Sequence, residues 1–204
     1  MERWQKNRLP HVLRCQKGMS ITELIVVLLV VAIIVVAALP QIISSRRLFR
    51  FSSIQREMTT YVREARQTAI SEREQVTFRY DNSVKKITIY GGSLGPFGSA
   101  NNKTLRLSGM GVSSNDIVYG RPAGVSGAAL NDGTNLTVLT GNMIEIAFEP
   151  DGSVLDGSDN PIDNATFLYH AIYPTDTAFA LSILGTGGRV KVWRYSAGVD
   201  AYIE

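Results

Sequence analysis

The stretch Met19-Ser20-Ile21-Thr22-Glu23-Leu24-Ile25-Val26-Val27-Leu28 opens the most apolar part of the chain and decides its fold. From Leu24 to Leu39 there is no polar residue. As an α-helix, residues 19–39 measure about 31 Å, which matches the thickness of one hydrocarbon core. We therefore predict a single membrane-spanning helix over 19–40.

Basic residues precede this run. Five of the chain's 21 Lys and Arg residues lie in the first 18 positions beside one acidic residue, which leaves 16 basic and 17 acidic residues for the rest. The positive-inside rule keeps the basic flank in the cytoplasm and sends the C-terminal part across the membrane. The nearly neutral remainder argues against bulk electrostatic capture of nucleic acid.

Two other interpretations of the apolar run are a cleaved secretory signal and a plain signal anchor. The run is long for a signal peptide, and no small-x-small site closes it, so the signal anchor is the stronger alternative. Glu23 distinguishes the anchor from a functional helix, because a carboxylate at membrane depth is costly and usually functional. The other explanation is that Glu23 is solvated at the interface.

The residues from Gly18 to Leu28 resemble the prepilin signature of type IV pilins and type II secretion pseudopilins. The resemblance implies that a prepilin peptidase cuts after Gly18, removing leader 1–18, and that Met19 is then N-methylated. Glu23 becomes the fifth mature residue, and Pro40 falls at the twenty-second, where the family often has a proline. Met19 stands where the family commonly has Phe, and the leader is long.

The family resemblance also implies a location and partners. The chain is expected in the bacterial inner membrane, crossing it once with a cytoplasmic N-terminus, and later in a periplasmic or extracellular filament. Its partners are the prepilin peptidase and other pilins or pseudopilins. In low dielectric, the Met19 ammonium of one subunit can pair with a neighbour's Glu23 carboxylate. Pro40 permits a kink at the membrane exit.

The helix is predicted to continue over 41–75. Apolar residues recur there at spacings of three and four, whereas most arginines lie off that stripe and are expected on a solvated face. The apolar stripe comprises Phe51, Ile54, Met58, Tyr61, Ala65 and Ala69. We therefore expect one side of this segment to pack on a core.

After Glu74 the hydrophobic period changes to two, which predicts a β-rich head over 76–204. The predicted strands are a hairpin over 76–89, weaker strands at 104–107, 116–119 and 136–140, and stronger strands at 144–148, 167–173, 178–184, 189–195 and 201–203. The predicted fold class is α+β, with one long N-terminal helix packed on an antiparallel β-sheet.

Two segments near the C-terminus resemble the GspH/FimT group of minor pilins and minor pseudopilins. They are Ile144–Ser153, containing Phe-Glu-Pro-Asp-Gly, and Gly188–Val192. The implied function is a minor type IV pilin-like subunit for pilus assembly, initiation or tip function. The alternatives are a minor pseudopilin of a type II secretion system and a DNA-binding pilin for DNA uptake.

The DNA hypothesis rests on Arg189, Lys191 and Trp193, with Tyr195 beyond them. On a strand these residues share one face, where cations hold phosphates and aromatic rings stack on bases. The group's Gly-Arg-x-Arg motif has Lys191 in its last place here, and Lys lacks the bidentate fork of Arg. An outward strand face whose aromatics pack on a loop is the other interpretation.

Metal and catalytic signals are weak. Oxygen-rich turns suit calcium, but the spacing of the acids after Phe148 does not match an EF-hand loop, and polar turns are the simpler interpretation. The residues concerned are Asp151, Asp156, Asp159 and Asp163. His170 is isolated on a strand, and the only cysteine, Cys15, lies in the leader. We therefore expect no cofactor and no enzymatic activity.

Overall fold

The computed structural model describes residues 19–125 and 129–204, with no account of the side chains of residues 40–44 and 47. The predicted leader, including Gly18, lies outside the described residues. The chain divides into two compact units, Met1–Ile43 and Ser44–Glu204. Each is described separately below.

Helix α1 spans Ile21–Glu72 and contributes to both units. In the first unit, Ile21–Leu39 is the one helical stretch among the described residues that is long and apolar enough to cross a membrane. In the second unit, the helix buries side chains at spacings of three and four, although Tyr61 of the predicted stripe is only partly buried and Val62 is buried instead. The buried residues are Phe51, Ile54, Met58, Val62, Ala65 and Ala69.

The end of α1 is defined by backbone geometry and a side-chain contact. Arg73 adopts the left-handed conformation (φ 55°), so the helix cannot continue through it. The Glu72 carboxylate accepts a hydrogen bond from the backbone N–H of Ser93 at 2.8 Å. This contact ties the last turn of α1 to the loop that follows the first hairpin.

The described part of the second unit also contains nine strands, one further α-helix and three short 3-10 helices. The strands and the α-helix are β1 Val76–Asp81, β2 Lys86–Gly91, β3 Lys103–Arg106, β4 Ile117–Tyr119, β5 Met143–Phe148, β6 Asn164–His170, α2 Pro174–Thr177, β7 Phe179–Leu184, β8 Arg189–Ser196 and β9 Ala201–Ile203. All strand pairs are antiparallel. The α+β class is therefore confirmed.

The strands form two sheets, a division that the sequence did not predict. Their orders are β3-β2-β1-β5 and β4-β6-β7-β8-β9. The main core lies where α1 meets inward residues of both sheets, including Phe78, Phe148 and Leu181. The second sheet has another buried cluster on its opposite face, around Phe167 and Trp193. Both faces of its central strands are thus covered, which explains why β6 and β7 are buried almost throughout.

The predicted strand at 136–140 is wrong. Its backbone groups are divided among several neighbours instead of one ladder: the Thr137 N–H donates to Ala165 O, and Tyr119 Oη donates to Thr137 O. The segment therefore connects the two sheets without joining either. The strand predicted at 167–173 lies at Asn164–His170, because Tyr173 N–H donates back to His170 O and closes a turn.

Candidate functional site

The apolar half of α1 is the first candidate site. Every described side chain from Met19 to Val36 is exposed within its unit. A helix that is apolar all round is stable only in lipid or among other helices. Its start is ordered by local contacts, since Leu24 N–H donates to Ser20 O at 3.1 Å and the Ser20 and Thr22 hydroxyls lie 2.8 Å apart.

Glu23 is the acidic residue in the first turn of α1. The first turn is also the positive end of the helix dipole. It precedes sixteen consecutive apolar residues and belongs to the same exposed surface. The helix continues through position 40, so Pro40 lies within α1. The proposed cleavage after Gly18 and methylation of Met19 stay predictions.

On β8, the three residues of the DNA hypothesis have different environments. Arg189 is exposed, whereas Lys191 is half-buried and its Nζ lies 3.4 Å from the Glu204 carboxylate. The same Nζ lies 5.1 Å from the centroid of the Trp193 ring. The Trp193 side chain is only 3% exposed. A base therefore has no open ring face on which to stack at Trp193 in this conformation.

Trp193 is fixed by a buried chain of hydrogen bonds. Its Nε1–H donates to Ser182 Oγ at 2.8 Å, and that hydroxyl donates to Asp132 Oδ2 at 2.6 Å. Burial acts to raise the pKa of Asp132, but hydrogen bonds from Ser182 and Thr134 and the charge of Lys191 outweigh it and leave the pKa lowered. Sequence reasoning missed Asp132, since it lies in a loop 50 residues before Ser182.

The four aspartates of the calcium hypothesis serve mainly as turn-formers. Asp151 accepts from the Ser153 backbone and hydroxyl, and Asp156 accepts from the backbone N–H groups of Ser158 and Asn160. Asp163 accepts from Gly185 N–H, and Asp159 has a left-handed φ of 61°. Within 19–125 and 129–204, no group of three or more His, Cys, Asp or Glu side chains is arranged to hold a metal.

Hydrogen bonding lowers the pKa of two of these exposed carboxyls. For Asp151 the main cause is the Ser153 hydroxyl, and for Asp156 it is the backbone N–H of Asn160. Both side chains are therefore ionised at neutral pH. The segment carries fixed negative charge without a described metal site.

The two turns of the C-terminal resemblance meet beside α1. Gly152, after Pro150 and Asp151, has φ 83°, and its carbonyl oxygen accepts from Arg66 Nε at 3.4 Å. Gly188, before Arg189, has φ 56°, and a Cβ there would collide with that same carbonyl. The glycines thus permit a close approach of two turns and a helix, which sequence spacing could not show.

His170 is packed in the interior, 5% exposed, with its ring 6.0 Å from that of Phe51 in an edge-on arrangement. Its Nδ1 accepts a hydrogen bond from Ile172 N–H at 3.1 Å, and its Nε2 lies 3.9 Å from Asp116 Oδ2. A cavity of about 210 Å³ adjoins it, also lined by Arg50 and Gly111. Arg50 Nη1 donates to Gly111 O at 3.0 Å. Ser113 lines the same cavity, but among the described residues no hydrogen bond joins its hydroxyl to His170.

No protein-family model and no curated protein sequence matches the chain. Among solved structures, the chain is similar to two crystal forms of the type IV minor pilin FimU of Pseudomonas aeruginosa strain PAO1. One match has 14% identity and a TM-score of 0.43, covering 70% of this chain and 87% of that one. The other has 14% identity and a TM-score of 0.42, covering 69% and 90%.

Proposed function

We propose that this chain is a minor type IV pilin-like filament subunit that takes part in pilus assembly, initiation or tip function. The observation that carries the proposal is the segment Met19–Leu39. It combines a helix that has no polar residue from Leu24 to Leu39 with one carboxylate, Glu23, five residues after Gly18. The head then serves to contact other subunits or a ligand.

The chemistry of Glu23 gives the segment its role in the proposal. After cleavage at Gly18, Met19 carries a new α-ammonium group at the edge of the apolar run. Pairing between this group and Glu23 of a neighbouring subunit relieves the burial of both charges in low dielectric. Apolar packing between helices supplies adhesion, while this pair sets the axial register. Pro40 provides a place where the helix can bend as subunits leave the membrane.

The proposal implies a sequence of processing steps before assembly. The unprocessed chain waits in the inner membrane with its basic leader in the cytoplasm, and the prepilin peptidase removes residues 1–18. A minor pseudopilin of a type II secretion system follows the same path with the same residues. Deletion of the chain distinguishes the two machines, because it abolishes pili in one case and protein secretion in the other.

The decisive test is the N-terminal mass of the full chain recovered from membranes of cells with and without the prepilin peptidase. A peptidase-dependent start at Met19, carrying one methyl group, is expected. An intact leader in both strains, or a cut near Pro40, would contradict the proposal and return the chain to the class of anchored or secreted β-rich domains.

A further inference from the structure

The second half of α1 presents one face that packs against nothing within its unit. Along this face the exposed side chains are spaced seven, four, three and four residues apart, so they lie on the same side of the helix. They are Phe49, Arg56, Thr60, Arg63 and Gln67, here named the arginine face. Arg56 and Arg63 are seven residues apart, which places them about 10 Å apart along the axis.

The charges of the arginine face are not neutralised locally. Among the ion pairs of the described residues, none involves Arg56 or Arg63. The two acids nearest on the helix are turned away from it: Glu57 is half-buried, and Glu64 pairs with Lys103. The hydroxyl of Thr60 donates to the Arg56 carbonyl at 2.9 Å, so its hydrogen is already bonded within the helix.

The same unit carries a surface of opposite sign. Residues 149–163, here named the acidic loop, contain five carboxylates and no Lys or Arg. Four of the five, Asp151, Asp156, Asp159 and Asp163, are exposed. Because several of them also close turns, their positions are fixed, and a fixed charge loses less entropy on pairing than a mobile one.

The acidic loop meets α1 near the last residues of the arginine face. It is attached there because Gly152 O accepts from Arg66 Nε and Glu149 Oε1 accepts from Gln75 Nε2 at 2.6 Å. Arg56 and Arg63 precede Arg66 by ten and three residues, or about 15 Å and about 4.5 Å along the axis. Most of the arginine face therefore precedes the point at which the acidic loop is attached.

We propose that the arginine face is a docking surface for the acidic loop of a second copy of this chain in the same orientation. The contact is head-to-tail, because two different surfaces meet, and such contacts extend into filaments instead of closing as dimers. A two-fold pairing through the arginine face would set Arg56 and Arg63 against their own copies, which like-charge repulsion opposes. The inference rests on the proposed filament function and adds the head surfaces that select neighbours.

The test uses the full chain in native membranes, with Cys15→Ser to remove the natural thiol. One tagged copy carries Thr60→Cys in the arginine face, and a differently tagged copy carries Ser158→Cys in the acidic loop. Mild oxidation is expected to join the two tags. Arg56→Glu with Arg63→Glu should lower the joined fraction at least about fivefold, because complementary charge sets register and partner choice.

Charge exchange makes the test specific. Asp159→Asn with Asn160→Lys changes the loop by two charges while Asn tolerates the left-handed φ at 159 and Asp156 keeps its turn. Because the net charge of the loop changes from −5 to −3, this pair alone should also lower cross-linking. Combined with the two Glu substitutions on the helix, it should give more cross-linking than those two substitutions alone, since part of the repulsion is removed. Arg106→Glu, an exposed charge reversal on β3 at a residue that belongs to neither surface, is the matched control and should change cross-linking far less.

The other outcomes overturn the inference. A disulfide between two Thr60→Cys copies indicates a two-fold contact, and one between Thr60→Cys and a different protein indicates another occupant. Absence of any cross-link, or reversals without rescue, excludes the acidic loop as the partner. The N-terminal mass is read on the same samples. A normal start at Met19 without the contact removes only this inference, whereas an intact leader removes the proposed function as well.

Discussion

The two halves of α1 share one secondary structure and differ in every other respect. In Ile21–Leu39 the apolar residues surround the helix, and nearly all are exposed within their unit. In the half within Ser44–Glu204, apolar residues form one stripe that is buried, and arginines occupy the exposed side. Both halves have the same helical backbone geometry. The periodicity of their apolar side chains therefore decides whether a half is stable in lipid or on the surface of a globular unit.

The largest expected effect concerns the carboxylate of the first half. Glu23→Gln removes one member of the proposed charge pair between subunits, and loss of one partner of a buried pair costs about 3–5 kcal/mol per contact. Incorporation into filaments should fall more than about a hundredfold, while membrane retention stays unchanged, since the apolar run is intact. Quantifying sheared filaments against membrane-bound chain checks this. Glu74→Gln, an exposed acid beyond α1, is the control. Normal incorporation of the Glu23→Gln variant would contradict the role assigned to the pair.

Alanine substitutions at isoleucines sharpen the contrast between the halves. Ile54 is fully buried, so Ile54→Ala should lower the free energy of unfolding of the second unit by about 2–5 kcal/mol through lost burial and a cavity. Ile33 is 67% exposed, and Ile33→Ala should leave that unfolding unchanged. Thermal unfolding of the full chain in detergent, followed by circular dichroism, compares them. Equal losses would mean that both halves belong to one cooperative core.

The second half of α1 also positions the turns that meet at Arg66. Gly188→Ala combines a left-handed φ with a collision at Gly152 O, so we expect a loss of about 1–3 kcal/mol. Gly187 is the matched control, because a Cβ there meets no atom within 4 Å. Urea unfolding of the full chain in detergent measures the difference. If the two alanine variants were equally stable, the close approach of the turns would be wrong.

A smaller effect is expected at Asp132, far from α1 on the outer face of the second sheet. Its lowered pKa means that its contribution is present above the unfolded pKa of about 3.9 and is lost as pH falls through the folded value. Asp132→Asn should cost about 1 kcal/mol at pH 7, after discounting a charged hydrogen bond for partial exposure. The difference from the unsubstituted chain should shrink as the pH falls below about 3.9. A difference independent of pH would point to packing instead.

The smallest effect is expected for nucleic acid. The Trp193 ring is closed off, and Lys191 is paired with Glu204, which leaves Arg189 as the exposed cation of the three. Arg189→Ala with Lys191→Ala should change affinity for double-stranded DNA by less than about threefold, because one or two phosphate contacts add little. Fluorescence anisotropy at fixed salt measures it. A large loss would revive the DNA-binding hypothesis.

Periodic patterns predicted α1 and most strands because they report local geometry, as at Phe51 to Ala69 and in the alternation from Val76 onward. They did not predict the division into two sheets, which depends on where chain segments of distant sequence meet. The strand predicted at 136–140 failed for the same reason: its backbone partners, Ala165 and Tyr119, belong to different strands.

The candidate sites show the same limit. The alternation of side chains along β8 correctly predicts which residues share a face. It does not show whether another part of the chain covers the outer face. The Asp132–Ser182–Trp193 chain closes that face, and no spacing rule relates a loop aspartate to a serine on β7. Glu23, in contrast, could be singled out from sequence alone, because a charge beside an apolar run is visible without knowing the fold, and its role stays a prediction.

Because Trp193 is buried, its fluorescence reports on the folded state of the second sheet. The chain has two tryptophans, Trp193 and Trp4, and the latter lies in the predicted leader. Removal of that leader leaves a single indole, held in an apolar setting and hydrogen-bonded to Ser182. Its emission should be blue-shifted and resistant to collisional quenchers, and a red shift should mark the opening of the second sheet alone.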